Sequence, residues 1–420
     1  MVTRVETLII GAGQAGLALS HHLTGQRRPH VLLDRGRVGE RWRSERWDSF
    51  KLLTPNWLNR LPGVEYDGAD PDGFMDKAAV VGLFERYARS FDAPVHTGVA
   101  VHRVRRADRS WRVTSDHGPF TADNVVIATG HHALPRIPMD PATRLPADIT
   151  QLHTSHYRNP RQLPDGGVLV VGAGPSGQQI ADELALAGRR VVLAAGRHRT
   201  LPRRYRGHDT HWWMQQMGTF DRTVDSLADP QAVRSAPAFV LAGGCADLDL
   251  RRLVAHGVIP TGRLAGVMGA TARFADDLAA TVAGADRNLL TFRQSVDDFV
   301  ARHGIACAPP DDVPPPPGAW AAHAPRQLQL DRAGIRSVIW ATGYRRDFSW
   351  IDADVFDATG EPVQRRGVTA ADGLYFLGLR WMHHRGSDTI HGVGADAAHL
   401  ANVITRRAAS PAVATSALSA

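Results

Sequence analysis

The stretch VETLIIGAGQAGLALSHHLTGQRRPHVLLDRG, residues 5–36, decides the fold. Its apolar run over 6–10 predicts a strand, the glycines after it a tight turn, 15–23 a helix and 31–33 a second strand. Gly11, Gly13 and Gly16 supply a GxGxxG pattern at the strand-to-helix junction. The first glycine permits the turn, the second lets a pyrophosphate approach the backbone, and the third lets helix and strand pack closely. A phosphate there meets free N–H groups and the positive end of the helix dipole. Asp34 closes the second strand, where a carboxylate accepts from a ribose 2′-hydroxyl and repels a 2′-phosphate. The first loop therefore reads as a site for FAD or NAD and not for NADP.

The pattern recurs in VLVVGAGPSGQQIADELALAGRRVVLAAGRHRTLPRRYRG, residues 168–207. Gly172, Gly174 and Gly177 follow a predicted strand over 168–171, the helix opens at Ser176, and the next strand, 190–194, ends without an acidic residue. Arg197, with Arg199 behind it, is placed to bind a 2′-phosphate, and Arg203 and Arg204 extend the basic group, so this loop reads as an NADPH site. The bland alternative is a solvated basic surface. Two dinucleotide sites of opposite preference imply electron transfer from NADPH to a tightly held flavin.

Two further segments end alike. NVVIATGHHALPRIP (124–138) and SVIWATGYRRD (337–347) each carry a buried strand into Ala-Thr-Gly, at Ala128-Thr129-Gly130 and Ala341-Thr342-Gly343. Small residues let each strand end close to the cofactor or to the domain crossover. A predicted strand over 374–378 and a helix from about residue 394 return the chain to the flavin ring, where a helix N-terminus favours negative charge. His383, His384, Arg385 and Asp388 cluster just before it, positioned for hydrogen bonds around flavin or substrate; no metal site is expected.

The chain has 420 residues, 43% hydrophobic, enough for two or three domains. No apolar run approaches the 18 or so residues of a membrane span, and the N-terminal one is too short for a signal peptide, so a cytoplasmic protein is expected. Cys245 and Cys307 form no CxxC and no metal spacing, which argues against thiol redox chemistry. The net charge of +7 is carried almost wholly by arginines dispersed among acidic residues, with Lys51 and Lys77 the only lysines, so neither nucleic acid nor membrane is expected as a partner.

With both loops in place the chain resembles the class B flavin-dependent monooxygenases along nearly its whole length. GERWRSERWDSFKLLTPNWLNRLPGVEYDG (39–68) is similar to that family's glycine-x-x-tryptophan segment and the stretch ending beside the flavin, and FMDKAAVVGLFERYARSF to the helix that follows. Arg41, Trp42 and Thr54 are cofactor candidates on that basis, with Thr129, Gly130, Thr342, Gly343 and Asp388. DITQLHTSHYRNP (148–160), taken as the linker between the two cofactor domains, matches half of the family's linker fingerprint, at His153 and Tyr157; Ala147 and Ile149 stand where phenylalanine and glycine belong. Tyr157 in place of the tryptophan usual in Baeyer–Villiger enzymes points toward heteroatom oxygenation.

The resemblance implies an α/β fold with two Rossmann-like dinucleotide-binding domains, the FAD domain discontinuous (1–160 and 331–410), the NADPH domain inserted (161–330) and residues 411–420 a flexible tail. It implies FAD and NADPH as cofactors. It also implies insertion of one oxygen atom from O2, through a flavin C4a-(hydro)peroxide, into a small nitrogen or sulfur nucleophile, with Asn56, His153 and Tyr157 as catalytic candidates. Asn56 also reads as a turn residue after Pro55. The segment RGHDTHWWMQQMGTFDRTVDS, from Arg206, reads either as a substrate face or as an amphipathic helix packing Trp212, Trp213 and Met217 into a core. The partners are a small-molecule substrate and O2, with a homodimer as the candidate assembly. The competing classes are a two-nucleotide reductase or oxidase and a redox regulator.

Overall fold

The computed structural model describes residues 2–313 and 318–409. The proline run 314–317 and the tail read from the sequence at 411–420 lie outside the described residues.

Two sheets carry the architecture. In the first, the spatial order is Ile351–Asp352, Val101–Ala107, Ser110–Ser115, Gly118–Ile127, Thr3–Ile10, His30–Asp34, Val95–Thr97, with Leu374–Phe376 against the far end of Gly118–Ile127. Its centre is parallel, with Ile10 paired to Leu33 on one side and to Ile127 on the other. Leu8, Ile9, Val125 and Val126 have no exposed surface, as expected of strands covered on both faces, which need continuous apolar runs. The second sheet is wholly parallel, in the order Ile259–Thr261, Val191–Ala194, Gly167–Val171, Ile335–Trp340, Thr150–His153.

That order corrects two expectations. The stretch 148–160 is more than a linker, because Thr150–His153 is an edge strand of the second sheet, paired with Ser337–Trp340. The strand Ile335–Trp340 also belongs to the second sheet, so the return to the first domain starts after Gly343 and not at residue 331.

Each sheet ends on its glycine loop at a helix. Gln14–Gly25 packs against the C-terminal helix Val393–Ala409, and Pro175–Leu186 lies against Val191–Ala194. Inside the second domain, Trp213 of the helix Thr210–Gln216 is fully buried with Tyr205 and Val296, and its indole N–H donates to the Tyr205 carbonyl at 2.7 Å. The core reading of this segment thus holds for Trp213.

Among the ties that join the domains, three stand out. The outgoing and returning crossovers pair as a ribbon, Leu134–Pro135 antiparallel to Tyr344–Arg345. Residues 220–224 are strapped to 383–386 by backbone hydrogen bonds from Val224 to His383, Arg385 to Arg222 and Gly386 to Phe220. Arg203, buried, donates to the Leu53 and Ala242 carbonyls and pairs with Asp209. It is therefore not part of a phosphate-binding surface, and Arg204 donates to the nearby Gly207 carbonyl.

Tyr157 has no exposed surface; its hydroxyl donates to Glu183 at 2.7 Å, while Ser49 of the first domain donates to the other carboxylate oxygen at 2.8 Å. This is a charge-assisted contact joining three segments, worth about 1.5–3 kcal/mol. Tyr157→Phe should lower the stability of the cofactor-loaded protein by about that amount and leave the KM for NADPH within about twofold. Thermal unfolding and steady-state kinetics on the same preparation check both.

Candidate nucleotide and substrate site

The two glycine loops are superimposable in their bonding. Gly11 donates to the Leu33 carbonyl and Gly172 to the Ala194 carbonyl; Ala128 donates to Ile10 and Ala341 to Val171. Each Ala-Thr-Gly motif therefore backs one glycine loop, Ala128 the first and Ala341 the second. A Cβ on Gly16 would stand 1.9 Å from the Gly11 carbonyl oxygen, and one on Gly177 1.9 Å from that of Gly172. On Gly13 and Gly174 a Cβ would meet nothing within 4 Å. The middle glycines thus face open space before a helix N-terminus, the cradle a pyrophosphate requires.

The correspondence of carbonyls also aligns the strand ends: Leu33 matches Ala194, so Asp34 matches Ala195. Asp34 accepts from the Ala12 N–H at 2.7 Å and the Gly36 N–H at 2.8 Å, fixing the first loop. Ala195 offers no carboxylate, and Arg197, two residues on, is exposed. Ser176 is half-buried in the first turn of its helix. The side chain of Arg199 does not accompany Arg197. Its guanidinium lies 3.9 Å from the centre of the Phe239 ring and donates to Asn288 at 3.3 Å.

Around the first loop, Gln14 donates to the Asp388 carbonyl at 3.4 Å, and the Asp388 carboxylate lies 3.8 Å from His131. Arg41 is half-buried beside Glu45, and burial lowers its pKa. Trp42 lies tilted to Phe50 with ring centres 5.8 Å apart, and the Arg46 guanidinium lies near both rings, 4.9 Å from that of Trp42. The hydroxyl of Thr54 donates to Asn59 at 2.6 Å. Asn56 is buried and its amide donates to the Asp70 carbonyl at 2.9 Å, so it ties the 54–59 turn to the loop at 70–73. Thr129 and Gly130 continue from the strand end that backs Gly11, Gly130 at φ +73°.

His153 ends the edge strand of the second sheet, beside the crossover ribbon. Its Nδ1 accepts from the Ser155 N–H at 3.2 Å, which leaves Nε2–H to donate to the Gly343 carbonyl at 2.9 Å. Burial lowers its pKa, so the ring is neutral at pH 7. The hydroxyl of Thr342 donates to the Arg136 carbonyl on the same ribbon. His153, Thr342 and Gly343 are thus brought together at the crossing, whereas Tyr157 bonds to Glu183 and Asn56 to the loop at 70–73.

A cleft of about 960 Å³ opens beside the second loop. Its walls include Arg197, Arg199, Met214, Phe239 and Phe292, and Arg385 reaches it from the first domain.

A family model described as pyridine nucleotide-disulphide oxidoreductase matches residues 8–214. Over 95% of this chain and 98% of the relative, the sequence is 35% identical to an uncharacterized CzcO-like oxidoreductase of Geobacillus kaustophilus. The chain belongs to the CzcO-like oxidoreductases. Similarity to the indole-3-pyruvate monooxygenase YUCCA1 of rice is 30% over 190 residues, 44% of this chain and 46% of that one. Among solved structures, a flavin-containing monooxygenase from Stenotrophomonas maltophilia covers 97% of this chain and 100% of its own, with a TM-score of 0.66 and 19% identity. This CzcO-like protein is an oxidoreductase with the fold of the flavin-containing monooxygenases. No described helix is long and apolar enough to cross a membrane.

Several side chains at the CzcO-like site escaped the sequence reading. His131 and His132 follow Gly130 with ring centres 4.2 Å apart, His132 lies 4.8 Å from Tyr344, and burial lowers both pKa values. Their one sequence signal was position directly after the Ala-Thr-Gly end. Gln14 fills the variable position directly after Gly13 and gave none.

The open and closed glycines separate binding from folding. Gly13→Ala, at φ −86°, should keep or slightly raise the stability of the cofactor-free protein, by up to about 1 kcal/mol, while FAD is lost. Gly16→Ala should cost about 3 kcal/mol or more, because the loop must move off the helix. Flavin content after purification and the thermal midpoint of the stripped protein distinguish the two.

Proposed function

We propose that this protein is an NADPH- and FAD-dependent monooxygenase that inserts one oxygen atom from O2 into a small substrate with a nucleophilic nitrogen or sulfur. The balance is substrate + O2 + NADPH + H⁺ giving oxygenated substrate + NADP⁺ + H2O. The observation that carries the reading is the cleft where the second nucleotide fold meets loop 380–388 of the first. Apolar side chains and arginines line it, and no thiol does. A disulfide reductase passes electrons through a reactive sulfur at the flavin. Here Cys245 is exposed and Cys307 lies against Arg206, 3.7 Å from it, in a different cluster.

When bound, FAD supplies the two-electron exchange with NADPH and the reaction with dioxygen, which no side chain can perform. The chain's own residues hold and orient. Asp34, already fixed by two loop N–H groups, takes the ribose of FAD, and the N–H groups around Gly13 and Gly174 take the two pyrophosphates. Arg197 takes the 2′-phosphate of NADPH. His153 and Gly343 set the crossing between the two folds. His131 and His132, neutral at pH 7, can donate hydrogen bonds without adding charge.

Under labelled dioxygen, wild-type enzyme turning over thioethers or amines should place one heavy oxygen in the product, with peroxide a minor fraction of the NADPH consumed. Stoichiometric peroxide with every such substrate would sink the proposal in favour of an oxidase or redox regulator. Arg197→Ala should raise the KM for NADPH about 10- to 100-fold and leave that for NADH nearly unchanged, as expected on losing a charge-assisted phosphate contact. Equal effects on the two nucleotides would make Arg197 a surface residue.

A further inference from the structure

The cleft beside the second loop has an unbalanced charge. Five arginines line it, Arg197, Arg199, Arg222, Arg287 and Arg385, against one carboxylate, Asp277. That carboxylate is already committed, since it accepts from the Arg263 N–H at 2.9 Å.

The arginines divide into two groups. Arg197, Arg222 and Arg287 are exposed, Arg197 two residues past the strand end where an adenine nucleotide's 2′-phosphate belongs. Arg199 and Arg385 are half-buried, and both converge on Phe239, with guanidinium carbons 3.9 and 5.0 Å from the ring centre. Among the described residues neither has a carboxylate within 4.0 Å; Arg199 also donates to Asn288, and Arg385 also lies over the Trp381 ring at 5.9 Å. Burial and then the neighbouring Arg199 and Arg380 lower Arg385 to about 10, which leaves it charged at neutral pH. Two half-buried cations on one aromatic ring, with the Asp388 carboxylate acting on Arg385 only from beyond ion-pair distance, are costly alone and favour a further anion beside them.

NADPH leaves this inner pair free. Its pyrophosphate belongs at Gly174 and its 2′-phosphate at Arg197, whereas the Arg199 side chain turns from the strand end toward Phe239 and Asn288. Beside the pair the wall is apolar, formed by Leu201, Met214, Phe239 and Phe292. Arg385 stands three residues before Asp388, whose carbonyl accepts from Gln14 of the first glycine helix, so the pair lies at the end of the cleft nearest the flavin fold.

We propose that Arg199 and Arg385 bind the carboxylate of the substrate, so that the enzyme acts on carboxylic acids with an apolar body and an oxidisable sulfur or nitrogen close to the carboxylate. This deepens, and rests on, the monooxygenase reading. A planar carboxylate suits a pair of guanidinium forks, the apolar wall takes the body, and the volume suits a ligand of that size.

The test uses the FAD-loaded enzyme with NADP⁺ present and the matched probes (phenylthio)acetate and 2-(phenylthio)acetamide. Calorimetric titration of wild type should show the carboxylate binding about tenfold or more tighter than the amide, with the preference falling as salt is raised. Arg385→Gln and Arg199→Gln should each bring the two probes to within about twofold of one another, Arg385→Lys should keep part of the preference, and the KM for NADPH should move less than about threefold. Equal binding of acid and amide to wild type, or binding of neither, would overturn the proposal. So would a rise in the KM for NADPH that matches the loss of carboxylate affinity, which would give the pair to the nucleotide. Should a variant fail to retain flavin, the wild-type acid-to-amide ratio and its salt dependence still decide. Sulfoxide formation is scored separately: a binding preference without sulfoxide would leave the anion site standing and remove the monooxygenase reading.

Discussion

The Gly343 carbonyl accepts two hydrogen bonds at 2.9 Å, from the Arg136 N–H on the outgoing crossover and from Nε2–H of His153 at the end of the second sheet's edge strand. The mutual placement of the two nucleotide folds depends on this small junction. Gly343 follows the strand that backs the second glycine loop, and Arg136 lies on the segment leaving the strand that backs the first. One acceptor therefore takes donors from the chain as it leaves the first fold and as it enters the second. Burial keeps His153 neutral, which suits a histidine whose task is to donate one proton in a hydrogen bond without carrying charge into the crossing.

The glycine folds were legible because their constraint is local and steric. A helix can leave a strand this tightly only where no Cβ stands in the way, and the pattern of three glycines states that directly. The acidic end of one second strand and the arginine after the other were equally open to reading, since each follows its strand at a fixed distance. What could not be read depended on long-range pairing. The segment Thr150–His153 is short and mostly polar, so its place as an edge strand comes from its partner Ile335–Trp340 and not from its own pattern. The two Ala-Thr-Gly ends are identical in sequence, and only the sheet order assigns one to each loop. Arg197, Arg199 and Arg203 look alike as a basic run. Yet one is exposed, one lies on an aromatic ring, and one is buried against Asp209 and backbone carbonyls of both domains. Spacing cannot separate them, because tertiary contacts decide where each guanidinium goes.

The two halves differ in how they manage charge. The first loop is set by an internal anion, Asp34, which holds the backbone N–H groups in place before any nucleotide arrives. The second has no such anion at its strand end, and the cleft beside it is lined by five arginines and one carboxylate. The same backbone geometry is thus made selective by what the side chains at the strand ends do or do not supply. In the first fold a carboxylate is built in, and in the second the ligand must bring the negative charge.

The strap between residues 220–224 and 383–386 bears on how the molecule can move. The crossover ribbon alone would leave the two folds free to rotate about a two-stranded axis, as on a door hinge. Three backbone hydrogen bonds, from Val224, Arg385 and Gly386, join the folds at a second place. Rotation about the ribbon would strain these bonds, and Arg385 belongs to that strap as well as to the cleft. Occupancy of the cleft and freedom of rotation therefore share a residue, so a ligand gripping that guanidinium acts on the latch as well as on the pocket.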